Sequence, residues 1–167
     1  MKALIVFYSL DGNSKFIAET VASVINADIL EIKPVNDFKN KSYLGKIMAG
    51  GKQVLFKMHP DLKPLDKNPG DYDFLIIGTP VWAGTYASPF NTFFDKFKIT
   101  GKEIALYWCH QGGPGKIFEK FKQVLAGNKI VGYIDFFNPI KRDLEENRKR
   151  ALEWGRYLGT EYLKKEK

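Results

Sequence analysis

The chain is poor in the residues that staple or metallate small proteins. It has one cysteine, Cys109, and two histidines, His59 and His110. A single cysteine excludes an intramolecular disulfide and suits a reducing compartment, so a cytoplasmic location is expected. One cysteine and two distant histidines fall short of a structural zinc set, and no metal is expected. No apolar run approaches the ~20 residues of a membrane helix. The opening Ala3 to Tyr8 run is too short for a signal sequence, and the polar stretch Asp11-Gly12-Asn13 cuts it off. No membrane partner is therefore expected.

Acidic excess is also missing. Lysine plus arginine number 26 against 19 aspartate plus glutamate, a formal net charge of +7. Such a balance admits nucleic acid or an acidic protein as partner. No nucleic-acid recognition motif accompanies it, and nucleic acid is not expected. The one dense basic stretch, Lys141, Arg142, Arg148, Lys149 and Arg150, is interleaved with Glu145 and Glu146 and reads as a solvated helix face.

What is present is an alternation of apolar strands and amphipathic helices. At 167 residues, a single domain over 1–167 is expected, with a substantial core. Strands are expected at Ala3 to Tyr8, Asp28 to Lys33, Tyr72 to Gly78, Glu103 to Cys109 and Ile130 to Phe136. Helices are expected at Ser14 to Ile25, after Ser88-Pro89, after Gly115, and from Ile140 to Leu163. Between Phe38 and Gly70 the pattern is weak. Tyr43, Leu44, Ile47, Met48, Val54, Leu55 and Met58 suit an amphipathic helix, which Gly45, Gly50 and Gly51 weaken. The alternation predicts an α/β, doubly wound sheet of five parallel strands in the order 2-1-3-4-5. Right-handed crossovers then gather the C-terminal strand ends on one edge, where ligands bind.

Three unusual loops meet at that edge. The first, Ser9-Leu10-Asp11-Gly12-Asn13-Ser14, joins a strand to a helix start. Free backbone N–H groups and about half a positive charge from the helix dipole make such a turn an anion site. Ser9, Asn13 and Ser14 add side-chain donors, while Asp11 suits shaping of the turn. A plain capped turn is the competing reading. The second, Thr79-Pro80-Val81-Trp82-Ala83-Gly84, carries an indole, with Tyr86 beyond. Trp82 suits either a ring contact or a loop anchor, and Tyr86 either the site or the next helix. The third, Cys109-His110-Gln111-Gly112-Gly113, lets backbone approach a ligand closely. Cys109 reads as a buried strand-end residue, and His110 as a ring contact or a solvated side chain. His59 reads as a loop residue. A phosphate site, an aromatic lid and exposed amides suit a flat phosphorylated heterocycle, and FMN fits.

Two of these loops carry a family resemblance. Ser9-Leu10-Asp11-Gly12-Asn13-Ser14 and Gly78-Thr79-Pro80-Val81-Trp82-Ala83-Gly84 resemble the phosphate loop and the second flavin loop of the flavodoxins, and the likeness extends over the chain. The resemblance implies a three-layer sandwich, FMN as cofactor held by the three loops, and electron transfer through the flavin. It also implies protein redox partners, and the net charge makes acidic ones the expectation. A monomer or weak homodimer is expected. The alternative on the same cofactor site is an FMN-dependent NAD(P)H oxidoreductase acting on a quinone or other small acceptor. Two features depart from the acidic electron carriers of the family: the positive net charge, and a third loop without a carboxylate between Cys109 and Gly115.

Overall fold

The computed structural model describes residues 1–163. Six strands form the sheet: β1 Ala3–Phe7, β2 Ala27–Glu31, β3 Phe74–Trp82, β4 Thr85–Tyr86, β5 Glu103–His110 and β6 Lys129–Phe137. Five helices flank it: α1 Asn13–Ala22, α2 Tyr43–Leu55, α3 Pro89–Lys96, α4 Ile117–Val124 and α5 Leu144–Leu158. The long strands run in the order β2-β1-β3-β5-β6 with every neighbour parallel. With the two-residue β4 set aside, this is the expected five-strand order.

Successive residues of a strand face opposite sides of the sheet. The central strands are apolar on both sides, as a parallel sheet covered by helices requires. Leu4, Val6, Leu75, Ile77 and Leu106 pack towards α3 and α4, against Phe90, Phe93, Ile117 and Phe121. Ala3, Ile5, Phe7, Phe74, Ile76 and Tyr107 pack towards α1 and α5, against Ile17, Val21, Ala151 and Leu158.

The structure departs from the sequence expectations in three places. First, β3 does not stop at Gly78. It runs on to Trp82 and keeps its register with β5 as far as Pro80 opposite Cys109. Ala83 (φ 46°) and Gly84 (φ 78°) then form a two-residue turn of positive φ, which folds β4 back antiparallel on β3. An Ala-Gly pair is a weak signal for that turn, and the stretch read as a loop.

Second, α2 forms despite its glycines. Ser42 caps it, its side chain accepting from the Gly45 N–H at 3.2 Å. Gly50 is where the helix meets the sheet: a Cβ there would sit 3.1 Å from the Trp82 indole. The residue that weakens the helical pattern is the one that lets the helix settle.

Third, the last helix begins at Leu144, not at Ile140, and passes into a wider π turn over Gly159–Leu163. Ile140 lies in the preceding loop, where its N–H donates to Asn13 Oδ1 at 3.1 Å. Among the described residues no helix is long and apolar enough to cross a membrane.

Candidate functional site

The C-terminal ends of β1, β3 and β5 open into a cleft of about 560 Å³, within the range of small-molecule sites. Its floor is the turn between β1 and α1. Gly12 adopts φ 88° there, a left-handed conformation that glycine takes without steric cost, and α1 starts at the next residue. The Ser9 hydroxyl accepts from the Lys15 N–H at 3.2 Å. Ser14 is the most buried residue of the turn, at 1% exposure, and it lines the cleft. Its backbone carbonyl accepts from the Tyr107 hydroxyl at 2.8 Å. Its own Oγ has no hydrogen-bond partner of ordinary geometry; the Cys109 thiol beside it is at most a weak one. A buried hydroxyl left open at a helix N-terminus is poised to donate to an anion.

The second wall is the end of β3 and its hairpin. Pro80, Val81, Trp82, Ala83 and Gly84 line the cleft. The Trp82 indole also anchors the loop. It meets the Tyr8 ring edge-on with centroids 5.4 Å apart and the Phe38 ring at 5.3 Å, with Gly50 of α2 against it. The loop-anchor reading of Trp82 holds, and the same side chain lines the cleft. Tyr86 does not face the cleft: it packs among Phe90, Phe94 and Phe121, with its ring centroid 5.1 Å from that of Phe121.

The third wall is the loop after β5. The His110 Nδ1 accepts from the Gly113 N–H at 3.1 Å, so the ring proton sits on Nε2, which faces Asp135 Oδ2 at 2.9 Å. The carbonyl of His110 accepts from the Asn138 N–H at 2.8 Å. His110 thus holds the loop Gln111-Gly112-Gly113 in shape while lining the cleft. Burial pushes the Cys109 thiol up to about 12, the Ser14 hydroxyl opposing the shift in part. The second and third loops touch through backbone. Lys116 N–H donates to the Gly84 carbonyl at 2.8 Å, and a Cβ on Gly115 would fall 2.3 Å from the Gly84 Cα.

Of the seventeen residues expected at the site, Ser9, Leu10, Asp11, Asn13, Ser14, Pro80, Val81, Trp82, Ala83, Gly84, Cys109, His110, Gln111, Gly112 and Gly113 line one cleft. Two do not. A Cβ on Gly12 would point at the Ile140 side chain, 3.4 Å away. Thr79 is fully buried, donating to the Pro80 carbonyl at 2.9 Å and accepting from the Ala87 N–H at 3.1 Å. Gly12 shapes the first loop and Thr79 the second.

A fourth wall was not expected from the sequence. Helix α2 lies over the cleft with Tyr43, Lys46, Ile47, Gly50 and Gly51 along it. Two polar bridges fasten it. Lys46 Nζ donates to Asp11 in the first loop, at 2.5 Å. The Tyr43 hydroxyl donates to Gln111 Oε1 in the third loop, at 2.9 Å. The signal for this wall was the spacing of Tyr43, Ile47 and Gly50, one stripe of a helix.

The match to known proteins agrees with this architecture. The flavodoxin family model covers residues 2–131 of the chain. The chain belongs to the flavodoxin family. A flavoprotein from Lactobacillus acidophilus NCFM, crystallised in complex with FMN, shares 26% identity, covering 86% of this chain and 97% of its own, with a TM-score of 0.69. A Bacteroides uniformis protein shares the fold at 17% identity and a TM-score of 0.77, covering 92% of this chain and 96% of that one. The two-electron reduced flavodoxin of Megasphaera elsdenii superposes with a TM-score of 0.58 at 16% identity, over 92% of this chain and 98% of its own. Among the described residues of this family member no cluster of three or more His, Cys, Asp or Glu could hold a metal ion.

Proposed function

We propose that this flavodoxin-family protein binds FMN in the cleft and carries electrons between protein partners. The observation that carries the cofactor half is Ser14: a buried hydroxyl with no partner beyond the weak Cys109 thiol, in a glycine turn at the start of a ten-residue helix. A phosphate there would take a hydrogen bond from Ser14 and from the first free N–H groups of α1. The ring would lie between the Trp82 hairpin and the third loop, with Gly112 and Gly113 leaving backbone groups accessible to its polar edge. When bound, FMN supplies reversible one- and two-electron transfer. The chain supplies the rest: an anion cradle at Ser9 to Ser14, an apolar wall at Val81 and Trp82, and a loop held by His110. The Lactobacillus acidophilus relative crystallised in complex with FMN supports the same reading.

The electron-carrier half rests on family membership. The test is direct. The protein as purified is expected to release FMN on heating, identified by mass, and flavin-free protein reconstituted with FMN and washed is expected to show the absorption of oxidised flavin. Release of FAD alone, or no retained flavin, would overturn the cofactor assignment. Incubation with NADH or NADPH and no protein donor separates a carrier from an oxidoreductase. A carrier stays oxidised over minutes, whereas turnover with a quinone would make the protein an enzyme.

A further inference from the structure

Helix α2 has two apolar faces, and only one is used. Ile47 and Gly50 turn towards the cleft and Trp82. Leu44, Met48 and Leu55, spaced as one stripe, face outward, with exposures of 65%, 67% and 76%, and Phe56 extends the stripe at 66%. Exposed large side chains in a continuous row mark an interaction surface. The row is framed by charge of one sign. Residues 39–57 contain five lysines and no carboxylate. Lys46 is engaged by Asp11, but Lys39, Lys41, Lys52 and Lys57 are exposed and have no acidic partner among the described residues.

We propose that this outer face of α2 is the docking surface for a partner protein that presents an apolar patch ringed by carboxylates. The inference rests on the electron-carrier reading. An apolar centre with a charged rim is the anatomy of a transient protein interface, and opposite charge supplies steering and register. The face is continuous with the cleft, because Tyr43 and Ile47 of the same helix line its mouth. A partner seated there stands next to the cofactor site. A second copy is disfavoured, since pairing this face with itself would bring two sets of unpaired lysines together. A face laid on an anionic bilayer would close the cleft mouth to soluble partners.

The experiment uses the full chain, both FMN-loaded and flavin-free, with a plant-type [2Fe–2S] ferredoxin as the acidic probe and cytochrome c as the basic one. Binding is read by titration calorimetry, so it does not depend on flavin reduction. Two variants are compared, K41E/K52E/K57E and L44S/M48S/L55S. All six positions are exposed, and circular dichroism checks that each variant is folded. Ferredoxin binding is expected to weaken about tenfold or more in both variants, and in the unaltered protein between about 50 and about 300 mM salt. Cytochrome c is expected to bind only the charge-reversed variant. Ferredoxin binding that is absent, or equal in all three proteins, overturns the proposal. So does binding to phosphatidylserine vesicles that the variants lose, if ferredoxin does not bind. A dimer in sedimentation that disappears in L44S/M48S/L55S overturns it in favour of self-association. A protein that keeps ferredoxin binding but takes up no FMN refutes the cofactor reading and leaves the docking surface supported.

Discussion

The phenol ring of Tyr107 lies directly over the backbone of Gly78. The two residues are register partners on the adjacent strands β5 and β3. A Cβ on Gly78 would fall 1.8 Å from Tyr107 Cζ and 2.2 Å from its hydroxyl oxygen, in collision with the phenol. That absence of a side chain lets the Tyr107 hydroxyl reach across to the Ser14 carbonyl at 2.8 Å. One buried contact therefore ties together the strands that feed the second and third loops and the turn that forms the first. Gly78→Ala is expected to lower stability by roughly 1–3 kcal/mol or more, as forced overpacking does. Tyr107→Phe keeps the ring and removes the bond, and is expected to cost about 1 kcal/mol. Urea denaturation measures both. Equal stability of Gly78→Ala and the unaltered protein would contradict the packing described.

Ser14 gives the second test. Replacing its hydroxyl in Ser14→Ala removes one donor to a charged oxygen, about 1.5–3 kcal/mol or one to two decades in FMN affinity. Ser14→Glu places a second anion against the phosphate and is expected to weaken binding further than Ser14→Ala. Fluorescence titration with FMN checks the order. Equal affinity in Ser14→Ala would move the phosphate elsewhere.

Trp82 has a double role, so its variants should separate two effects. Trp82→Phe keeps an aromatic wall, while Trp82→Ala also removes the surface on which α2 rests at Gly50. A lost aromatic contact is worth about 0.5–1.5 kcal/mol beyond buried area. Both variants should weaken FMN and reduce quenching of its fluorescence. Trp82→Ala alone should raise hydrogen exchange across Tyr43–Leu55, the span of α2. Unchanged exchange there would show that the helix does not depend on the indole.

Much of this was legible in the sequence because it is written in periods and turns. The continuous apolar runs of β1, β3 and β5 have no solvent face, and such strands belong in a parallel sheet between helices. The Gly12 turn and the Gly112-Gly113 pair stood out as well. The site's fourth wall was not legible. A helix with three glycines scores poorly on propensity, and its stability comes from tertiary contacts that propensity does not see: Gly50 on Trp82, Lys46 on Asp11, Tyr43 on Gln111. The hairpin at Ala83-Gly84 is hidden in the sequence for the same kind of reason. Ala83 holds φ 46° because the flanking strands and Gly84 impose it, not because alanine favours it.

Cys109 carries a pH prediction. Burial holds its thiol up to about 12, against an unfolded value of 9.0. The folded chain therefore keeps its proton where the unfolded chain has lost it. Stability contributed by this group is present in full below about 9 and is lost as pH rises towards about 12. Cys109→Ala is expected to show a shallower fall of stability over that window. At pH near 8 the native thiol should resist iodoacetamide and react once the chain is unfolded. Rapid alkylation of the folded protein would contradict the burial.

The last prediction concerns charge at the mouth of the cleft. Asp11 sits in the first loop, on the same turn as Ser14, where a carboxylate would repel a bound phosphate. Lys46 on α2 answers it with an ion pair, and its ammonium is the more buried partner, at 19% side-chain exposure against 42%. Removing one partner of a partly buried pair leaves the other uncompensated. Lys46→Met should therefore weaken FMN more than the loss of a surface salt bridge would suggest, because it leaves Asp11 facing the phosphate as a free anion. Two unit charges about 8 Å apart interact by about 2 kcal/mol at an effective dielectric near 20, before salt screening reduces the effect. Asp11→Asn in the unaltered background should strengthen FMN binding, since it removes the carboxylate and leaves the Lys46 ammonium unpaired near the phosphate. Asp11→Asn with Lys46→Met should recover most of what Lys46→Met loses. The same pair should move the reduction potential, because added negative charge in the cleft opposes reduction of the flavin. Lys46→Met is expected to be the harder of the variants to reduce fully, and Asp11→Asn the easier. FMN titration gives the affinity cycle, and redox titration against a reference dye gives the potentials. Unchanged affinity in both Lys46→Met and Asp11→Asn would show that neither charge reaches the phosphate, and that α2 closes the cleft by shape alone.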